Sequence, residues 1–298
     1  MINPHENNIL KKFLHYIFSF FYIRLNYLFF DVIYLHKTCL SNIELFFIKK
    51  LFKKKIIISI DDLPPKYMLI INPKFVDLVL CGSEYLKEMF ESKGFVAVFW
   101  PTTIPKDKLL YRNMGSHKND KIILGWIGSS GGEKYIPTII DVLDKLRKKY
   151  NFIFKVVTLE KYFKNFPKEI ISKDYICFEN WDLKKEWEYF DEIDILIMPL
   201  DKTERSKAKG GFKILQAMFR GVVPIAYDTK ANSYFIRDGY NGFLYKNKNE
   251  LEYKLKLLLE KDELRRKFIL NSYKILEEKK LYLEDKVEEL WKYLKDQK

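Results

Sequence analysis

Short apolar runs alternate with amphipathic stretches along most of this chain, and that alternation restricts the fold more than any other feature. A strand buried on both faces reads as a continuous apolar run, and parallel strands need a crossover between them, usually a helix. Residues 31–36, 55–60, 77–81 and 95–100 read as strands, with helices expected over 41–54 and 83–91. A second series opens with a strand at 122–128 and adds strands at 152–159, at 176–178 and in the run that ends at Pro199. Helices are expected over 135–149, 184–190 and 281–295. The pattern predicts an α/β protein with two Rossmann-like domains facing a cleft. The polar stretch 111–121 separates the two series, so the linker is expected there. The expected domains are 1–114 and 115–280. Ligands of open parallel sheets bind beyond the carboxyl ends of the strands, so the loops at those ends are the candidate sites.

Two glycine-bearing turns fall at such strand ends. In the first, Lys209, Gly210 and Gly211 precede an apolar helical stretch that stops at Gly221 and passes into the strand Val222, Val223, Pro224, Ile225, Ala226. Glycines at a helix start let backbone N–H groups approach a ligand closely. Lys207, Lys209 and Lys213 add positive charge there. The combination suits a diphosphate or a cluster of sugar hydroxyls, and it equally fits an ordinary turn with solvated lysines. The second turn, Gly128, Ser129, Ser130, Gly131, Gly132, Glu133, Lys134, also follows a strand and precedes a helical stretch, so its N–H groups can face an anion.

Three segments in order carry a family resemblance. Phe190, Asp191, Glu192, Ile193, Asp194, Ile195, Leu196, Ile197, Met198, Pro199, Leu200 comes first, then the Lys209 to Ala226 segment, then Asp238, Gly239, Tyr240, Asn241, Gly242, Phe243, Leu244. Together they resemble the C-terminal half of the retaining glycosyltransferases of the GT-B fold (glycosyl transferases group 1, family 4-like), in the branch that reads K-x-GFK-xx-Q. The resemblance covers about a third of the chain. It implies transfer of a sugar from a nucleotide-sugar donor with retention of configuration, the leaving phosphate helping to deprotonate the acceptor. It assigns the donor to Gly128, Ser129, Lys134, Lys209, Gly210, Gly211, Phe212 and Gln216. Lys134 and Lys209 are the implied catalytic cations, with Asp61 on the acceptor side. No metal and no cofactor are expected. Ser129 stands where the family has an arginine, and Lys209 is expected to compensate. Ala208 and Gln216 stand where the family has two glutamates, and glutamine keeps one acceptor and two donors for a ribose. In the first domain Asp61, Asp62 and His36 match the acceptor-side positions, Asp61 replacing a histidine. By the family pattern, the C-terminal helix, residues 281–298, crosses back to the first domain.

The chain carries 53 Lys and Arg against 40 Asp and Glu, a net charge of +13. Residues 1–55 hold nine of the basic residues and three acidic ones, a net of +6, interleaved with aromatics such as Phe13, Phe20, Phe21 and Phe29. Such a segment suits an anionic membrane surface, and membrane contact through residues 10–55 is expected ahead of nucleic-acid binding, which is not expected. A core helix with lysine-rich edges is the plainer reading of the same residues. The apolar stretch 13–35 is interrupted by His15, Arg24, Asn26 and Asp31, which argues against a membrane span. No small-residue cleavage site follows it. Cys39, Cys81 and Cys177 are widely spaced and read as reduced core residues, and the four histidines lack zinc-ligand spacing. The expected location is cytoplasmic, peripheral at the inner face of the membrane.

No glycine precedes Gly82, so the first βα unit of the family and its glycine-rich loop are expected to be missing. That leaves two leading readings. One is a glycosyltransferase building a surface glycan or lipid-linked saccharide, and the other is a non-catalytic, glycosyltransferase-like subunit that binds a partner or a membrane. A nucleic-acid-binding protein, prompted only by the charge, ranks third.

Overall fold

The computed structural model describes residues 29–38, 40–112, 121–128 and 131–296. The chain divides into two compact units: the described residues up to Gly82 with Leu86–Trp100, and Ser83–Tyr85 with everything from Pro101 onward.

The first unit is a parallel sheet of β1 (Val32–His36), β2 (Lys55–Ile60), β3 (Leu78–Cys81) and β4 (Ala97–Phe99), lying in that order. α1 (Asn42–Phe46) continues into a wider helical turn, Phe47–Leu51, and α2 (Glu84–Glu91) joins β3 to β4. Ser41 fixes the start of α1 in a capping box: its Oγ accepts from the Glu44 amide while a Glu44 carboxylate oxygen accepts from the Ser41 amide at 3.0 Å. The central strands are buried on both faces, Ile56, Ile57, Ile58, Leu78, Val79, Leu80 and Cys81 among them. That is why they read as uninterrupted apolar runs.

The second unit is a six-stranded parallel sheet of β5 (Ile122–Ile127), β6 (Phe152–Thr158), β7 (Ile176–Asn180), β8 (Ile195–Met198), β9 (Val223–Tyr227) and β10 (Phe243–Tyr245). Their order is β10-β9-β8-β5-β6-β7. Alternate residues divide between two cores. Leu124, Trp126, Phe154, Val156, Ile195 and Ile197 join one cluster, and Ile127, Val157 and Leu196 join the other. The connections hold α3 (Ile140–Arg147), α4 (Lys168–Ile171), α5 (Glu188–Asp191), α6 (Glu204–Ala208), α7 (Phe212–Phe219) and α8 (Lys230–Phe235). α9 (Lys248–Glu260), α10 (Asp262–Glu278) and α11 (Leu283–Asp296) complete the unit.

Several sequence expectations change here. The helix expected over 135–149 is shorter: a 3-10 segment Glu133–Thr138, holding Pro137, comes first, and α3 follows. Proline removes an N–H donor and clashes with the preceding turn, which delays the regular helix. The helix expected over 184–190 is instead the 3-10 turn Leu183–Lys185 and the single turn α5. Cys177 is exposed on β7, at one end of the sheet, whereas Cys81 is buried as expected. Cys39 lies outside the described residues.

The division between the units falls ahead of the polar stretch 111–121, because residues up to Arg112 are bound to the second unit. The Leu110 amide donates to the Phe219 carbonyl at 2.9 Å, and Tyr273 Oη donates to the Leu110 carbonyl at 2.9 Å. Arg112 donates to the carbonyls of Asp191 and Ile193 and lies 3.6 Å from an Asp194 carboxylate oxygen. Its burial costs the guanidinium part of its proton affinity, while Asp194 and Asp191 oppose that loss. Gly221, the expected helix stop, has φ +63, and a side chain there would meet Tyr273 Oη and Arg112 Cβ. Among the described residues no helix is long and apolar enough to cross a membrane. The aromatic, basic stretch 10–28 lies outside them.

Candidate functional site

In the second sheet β5 and β8 are neighbours, and the chain leaves them toward opposite edges. Such a switch point opens a crevice at the carboxyl ends of the two strands. The two loops that leave it are 128–134 and 199–211, the two turns singled out in the sequence.

The first loop begins at Gly128, where any side chain would overlap the Trp126 indole. Ser129 lies outside the described residues. Gly131 has φ +81, and a Cβ there would lie 3.0 Å from a terminal nitrogen of Arg205, so the Arg205 guanidinium covers this turn from α6. Lys134 Nζ is 3.9 Å from an Asp201 carboxylate oxygen and 4.8 Å from the centre of the Tyr135 ring.

Asp201 ties the second loop together. It accepts hydrogen bonds from Ser206 Oγ and Thr203 Oγ1, both at 2.5 Å, and from the Thr203 amide at 3.1 Å. Burial alone would raise its pKa, but these bonds and the charge of Lys134 outweigh it and lower the carboxyl from 3.8 to about 2. Ser206 Oγ also lies 3.0 Å from the Tyr135 hydroxyl, so the two loops share one hydrogen-bonded network.

Past α6 the chain is extended at Lys209 and turns at Gly211, whose φ is +71. A Cβ at 211 would come within 2.8 Å of the buried Phe235 ring. The amides of Ile214 and Leu215 donate back to the Gly211 carbonyl, while those of Phe212 and Lys213 have no backbone acceptor among the described residues. A helix start leaves such donors open, and with the helix dipole they favour an anion. Lys209 and Arg205 pair with no carboxylate among the described residues, so both cations remain available at this end of the sheet.

Gln216 has no exposed surface. Its Nε2 donates to Glu186 Oε1 at 2.9 Å, and its Oε1 accepts from Lys213 Nζ at 2.9 Å. Lys213 lies 3.8 Å from Glu186 and against the rings of Phe190 and Phe212. Desolvation lowers the Lys213 pKa, and Glu186 opposes that shift. The sequence reading gave Gln216 a ligand contact of its own. In the fold its amide is engaged by protein, and the polar groups beside it that reach the surface are Glu186 and Lys213, each partly exposed.

The first unit gathers its own cluster at the carboxyl ends of β1 and β2. Lys37, with φ +54, lies 2.7 Å from Asp61 and 3.5 Å from Asp62. Burial works against its charge, but the two carboxylates raise its pKa overall. His36 ends β1 opposite Ser59 and is exposed. A Cβ on Gly82 would lie 2.9 Å from the Asp61 backbone, so the strand ends are packed closely. Among the described residues no group of three or more His, Cys, Asp or Glu side chains gathers as a metal site would require.

Sequence reasoning missed Arg205, Glu186, Asp201 and Lys37. Each acts through a partner on a different connection, and no local spacing marks such a pair. Only the Arg205 position, next to the lysines of the glycine turn, gave a hint in charge.

Comparison with solved structures gives the same fold at low identity. HepE (Alr3699) of Anabaena, solved with UDP and glucose, aligns with a TM-score of 0.72 and 13% identity, covering 92% of this chain and 80% of its own. The sucrose-phosphate synthase of Thermosynechococcus elongatus gives 0.73 and 12%, covering 100% and 82%. A glycosyltransferase of Rickettsia africae gives 0.69 and 15%, covering 99% and 83%. No curated protein sequence matches the chain. The model of the family described as glycosyl transferases group 1 matches residues 107–275, more than half of the chain. The two parallel sheets, the glycine turns at the switch point and this match lead to one conclusion: the chain has the GT-B fold and belongs to the glycosyl transferases group 1 family.

Proposed function

We propose that this protein transfers a sugar from a uridine-diphosphate donor to a glycan or lipid-linked acceptor with retention of configuration. The observation that carries the reading is the convergence at the switch point of two loops bearing uncommitted cations and amides. Arg205 stands over the Gly131 turn, Lys209 precedes Gly211, and the Phe212 and Lys213 amides open α7. HepE is described in complex with UDP and with UDP-glucose, which favours uridine as the base.

As the bond from the anomeric carbon to the β-phosphate oxygen breaks, negative charge builds on that phosphate. Amides and cations fixed in advance around it lower the barrier without reorganising. Arg205 supplies the guanidinium that the usual arginine, replaced here by Ser129, would supply, and a guanidinium binds phosphate oxygens in a bidentate way that lysine does not. Lys134 and Lys209 add charge, with Lys134 oriented by Asp201. The leaving phosphate takes the acceptor's proton, and no divalent metal is required. In the first unit, Asp61 and Asp62, held by Lys37, orient the acceptor hydroxyl, with His36 beside them.

Contact with an anionic membrane surface fits the first unit. Ile43, Phe46, Phe47 and Leu51 are exposed along α1 and its extension, and Lys49, Lys50, Lys53 and Lys54 accompany them. A cytoplasmic, membrane-peripheral enzyme of polysaccharide synthesis has these features.

The test is a thermal-shift panel of UDP-, GDP-, ADP- and CMP-sugars, followed by turnover of the sugar nucleotide that binds. A ligand that binds only the native state raises Tm by mass action. The reading expects a shift with the uridine class and release of UDP, the product keeping its anomeric configuration by NMR. Cooperative melting with no shift for any nucleotide would reject a donor site. Binding without turnover would leave the non-catalytic subunit as the function.

A further inference from the structure

We infer that a cavity at the carboxyl ends of β9 and β10 is a second carbohydrate site, built to hold one uncharged sugar unit of a glycan. Its volume is about 350 Å³, and the last residues of the two strands, Tyr227 and Tyr245, line it with Ile139, Leu200 and Leu251. Ligand-binding cavities begin near about 300 Å³, so this one suits a single sugar ring and not a nucleotide sugar. The inference goes beyond the donor reading and does not depend on it.

Tyr245 supplies the observation that points to a ligand. It is 5% exposed, and its hydroxyl bonds to no described residue. Burial pushes the phenol pKa up, so the group keeps its proton and remains a donor. A buried phenol ordinarily finds a partner, and the cavity that Tyr245 lines is where one can enter. Tyr227, its partner in the β9–β10 register, stands edge to face with it at 5.7 Å between ring centres, and its hydroxyl also bonds to no described residue.

The surrounding charges select the kind of ligand. Three lysines line the cavity, and each faces a carboxylate: Lys134 lies 3.9 Å from Asp201, Lys246 3.6 Å from Asp228 and Lys248 2.8 Å from Asp141. At the start of α9, Glu250 already accepts from the Lys246 amide at 3.0 Å. The wall therefore has no surplus of positive charge to hold a phosphate, yet it keeps both donors and acceptors. Lys134 and Lys246 stand beyond hydrogen-bonding distance of their carboxylates, which leaves their protons available. Asp201 takes its hydrogen bonds on Oδ1, and its Oδ2 accepts none among the described residues. A sugar hydroxyl both donates and accepts, which matches such a wall, and the C–H face of the ring meets Leu200, Leu251 and the Tyr227 ring. The described wall includes none of Gly131, Arg205, Lys209, Gly211 and Phe212, the groups assigned to the donor diphosphate.

The experiment is saturation-transfer NMR and titration of the full chain with the methyl glycosides of glucose, galactose, mannose and N-acetylglucosamine, alone and with UDP-glucose present, in wild type and in Tyr245→Phe. At least one glycoside is expected to bind wild type equally well with and without UDP-glucose. Its affinity for Tyr245→Phe is expected to be about fivefold to tenfold weaker, the loss of one hydrogen bond, with UDP-glucose affinity unchanged. Phenylalanine keeps the ring and removes a hydroxyl that bonds to no described residue, so the urea midpoint without sugar is expected to equal that of wild type. A lower midpoint would show that the hydroxyl serves the fold and would overturn the inference. Binding of no glycoside, or equal binding by the variant, overturns it as well. Displacement of the glycoside by UDP-glucose would assign it to the donor sugar and overturn a second site. Inorganic phosphate binding there in place of the glycosides would overturn the uncharged ligand. Glycoside binding without any affinity for UDP-glucose supports the inference and counts against the donor reading alone.

Discussion

Gly211 and Gly239 form a matched pair, and substituting each by alanine separates two costs that usually arrive together. Their φ angles are +71 and +72, so both variants place an L-residue in the left-handed region at nearly the same angle. That conformation costs roughly 1–2 kcal/mol for a residue with a Cβ. The reduced freedom of the unfolded chain on going from glycine to alanine, about 0.4–1 kcal/mol, is also common to both. What differs is space. A Cβ at 239 meets nothing within 4 Å, whereas one at 211 lies 2.8 Å from two carbons of the Phe235 ring and 3.4 Å from the Ala231 carbonyl oxygen. Phe235 is 1% exposed and in the main core cluster, so it has nowhere to go. Overpacking of that kind costs typically 1–3 kcal/mol. Gly211→Ala is therefore expected to destabilise the second unit by about 1–3 kcal/mol more than Gly239→Ala. Urea unfolding followed by tryptophan fluorescence reads mainly that unit, since Trp126, Trp181, Trp187 and Trp291 belong to it and Trp100 alone lies in the first. Comparing the two variants in the same transition, at equal m-value, removes the uncertainty of extrapolation. UDP affinity should fall in Gly211→Ala alone, because the start of α7 moves. Equal destabilisation by the two variants, within about 0.5 kcal/mol, would refute the idea that the Phe235 contact fixes the start of α7.

Arg205→Ala is expected to weaken UDP at least tenfold while leaving uridine affinity unchanged, and Arg205→Lys to recover only part of the loss. Competition binding with UDP, UMP and uridine measures this, and an equal loss for uridine would remove Arg205 from the phosphates. The depressed pKa of Asp201 gives a pH effect of defined sign: its contribution to stability is full above its unfolded value near 4 and disappears as pH falls toward about 2. Asp201→Asn should therefore flatten the loss of stability between pH 4 and pH 2, measured by urea midpoints, and an unaltered slope would contradict the bonding described. If Asp61 has the proposed acceptor role, Asp61→Asn is expected to lower kcat at least tenfold with UDP affinity intact; a change in nucleotide affinity alone would reverse that assignment. Replacing Phe46 and Phe47 by serine is expected to reduce flotation with anionic vesicles, and flotation equal to wild type would exclude α1 as the contact.

The parallel α/β architecture was legible in the sequence because it answers to local demands. A strand buried on both sides, such as β8, needs an unbroken apolar run, and a turn at positive φ, such as Gly211 or Gly221, favours glycine. The two glycine turns flanking the switch point are therefore legible without the sheet order. Helix lengths were less legible, since Pro137 and the short turns before α5 respond to the packing of their neighbours. The side chains that complete the candidate site were not legible at all. Glu186 meets Gln216, Arg205 covers Gly131, Asp201 faces Lys134, and Lys37 pairs with Asp61 only because the crossovers bring separate connections to the same end of a sheet. The sequence by itself determined the strands and the glycine turns. The tertiary structure decided which charges stand uncommitted there and which are spent on each other, because an ion pair or hydrogen bond depends on distance in space and leaves no periodic trace along the chain.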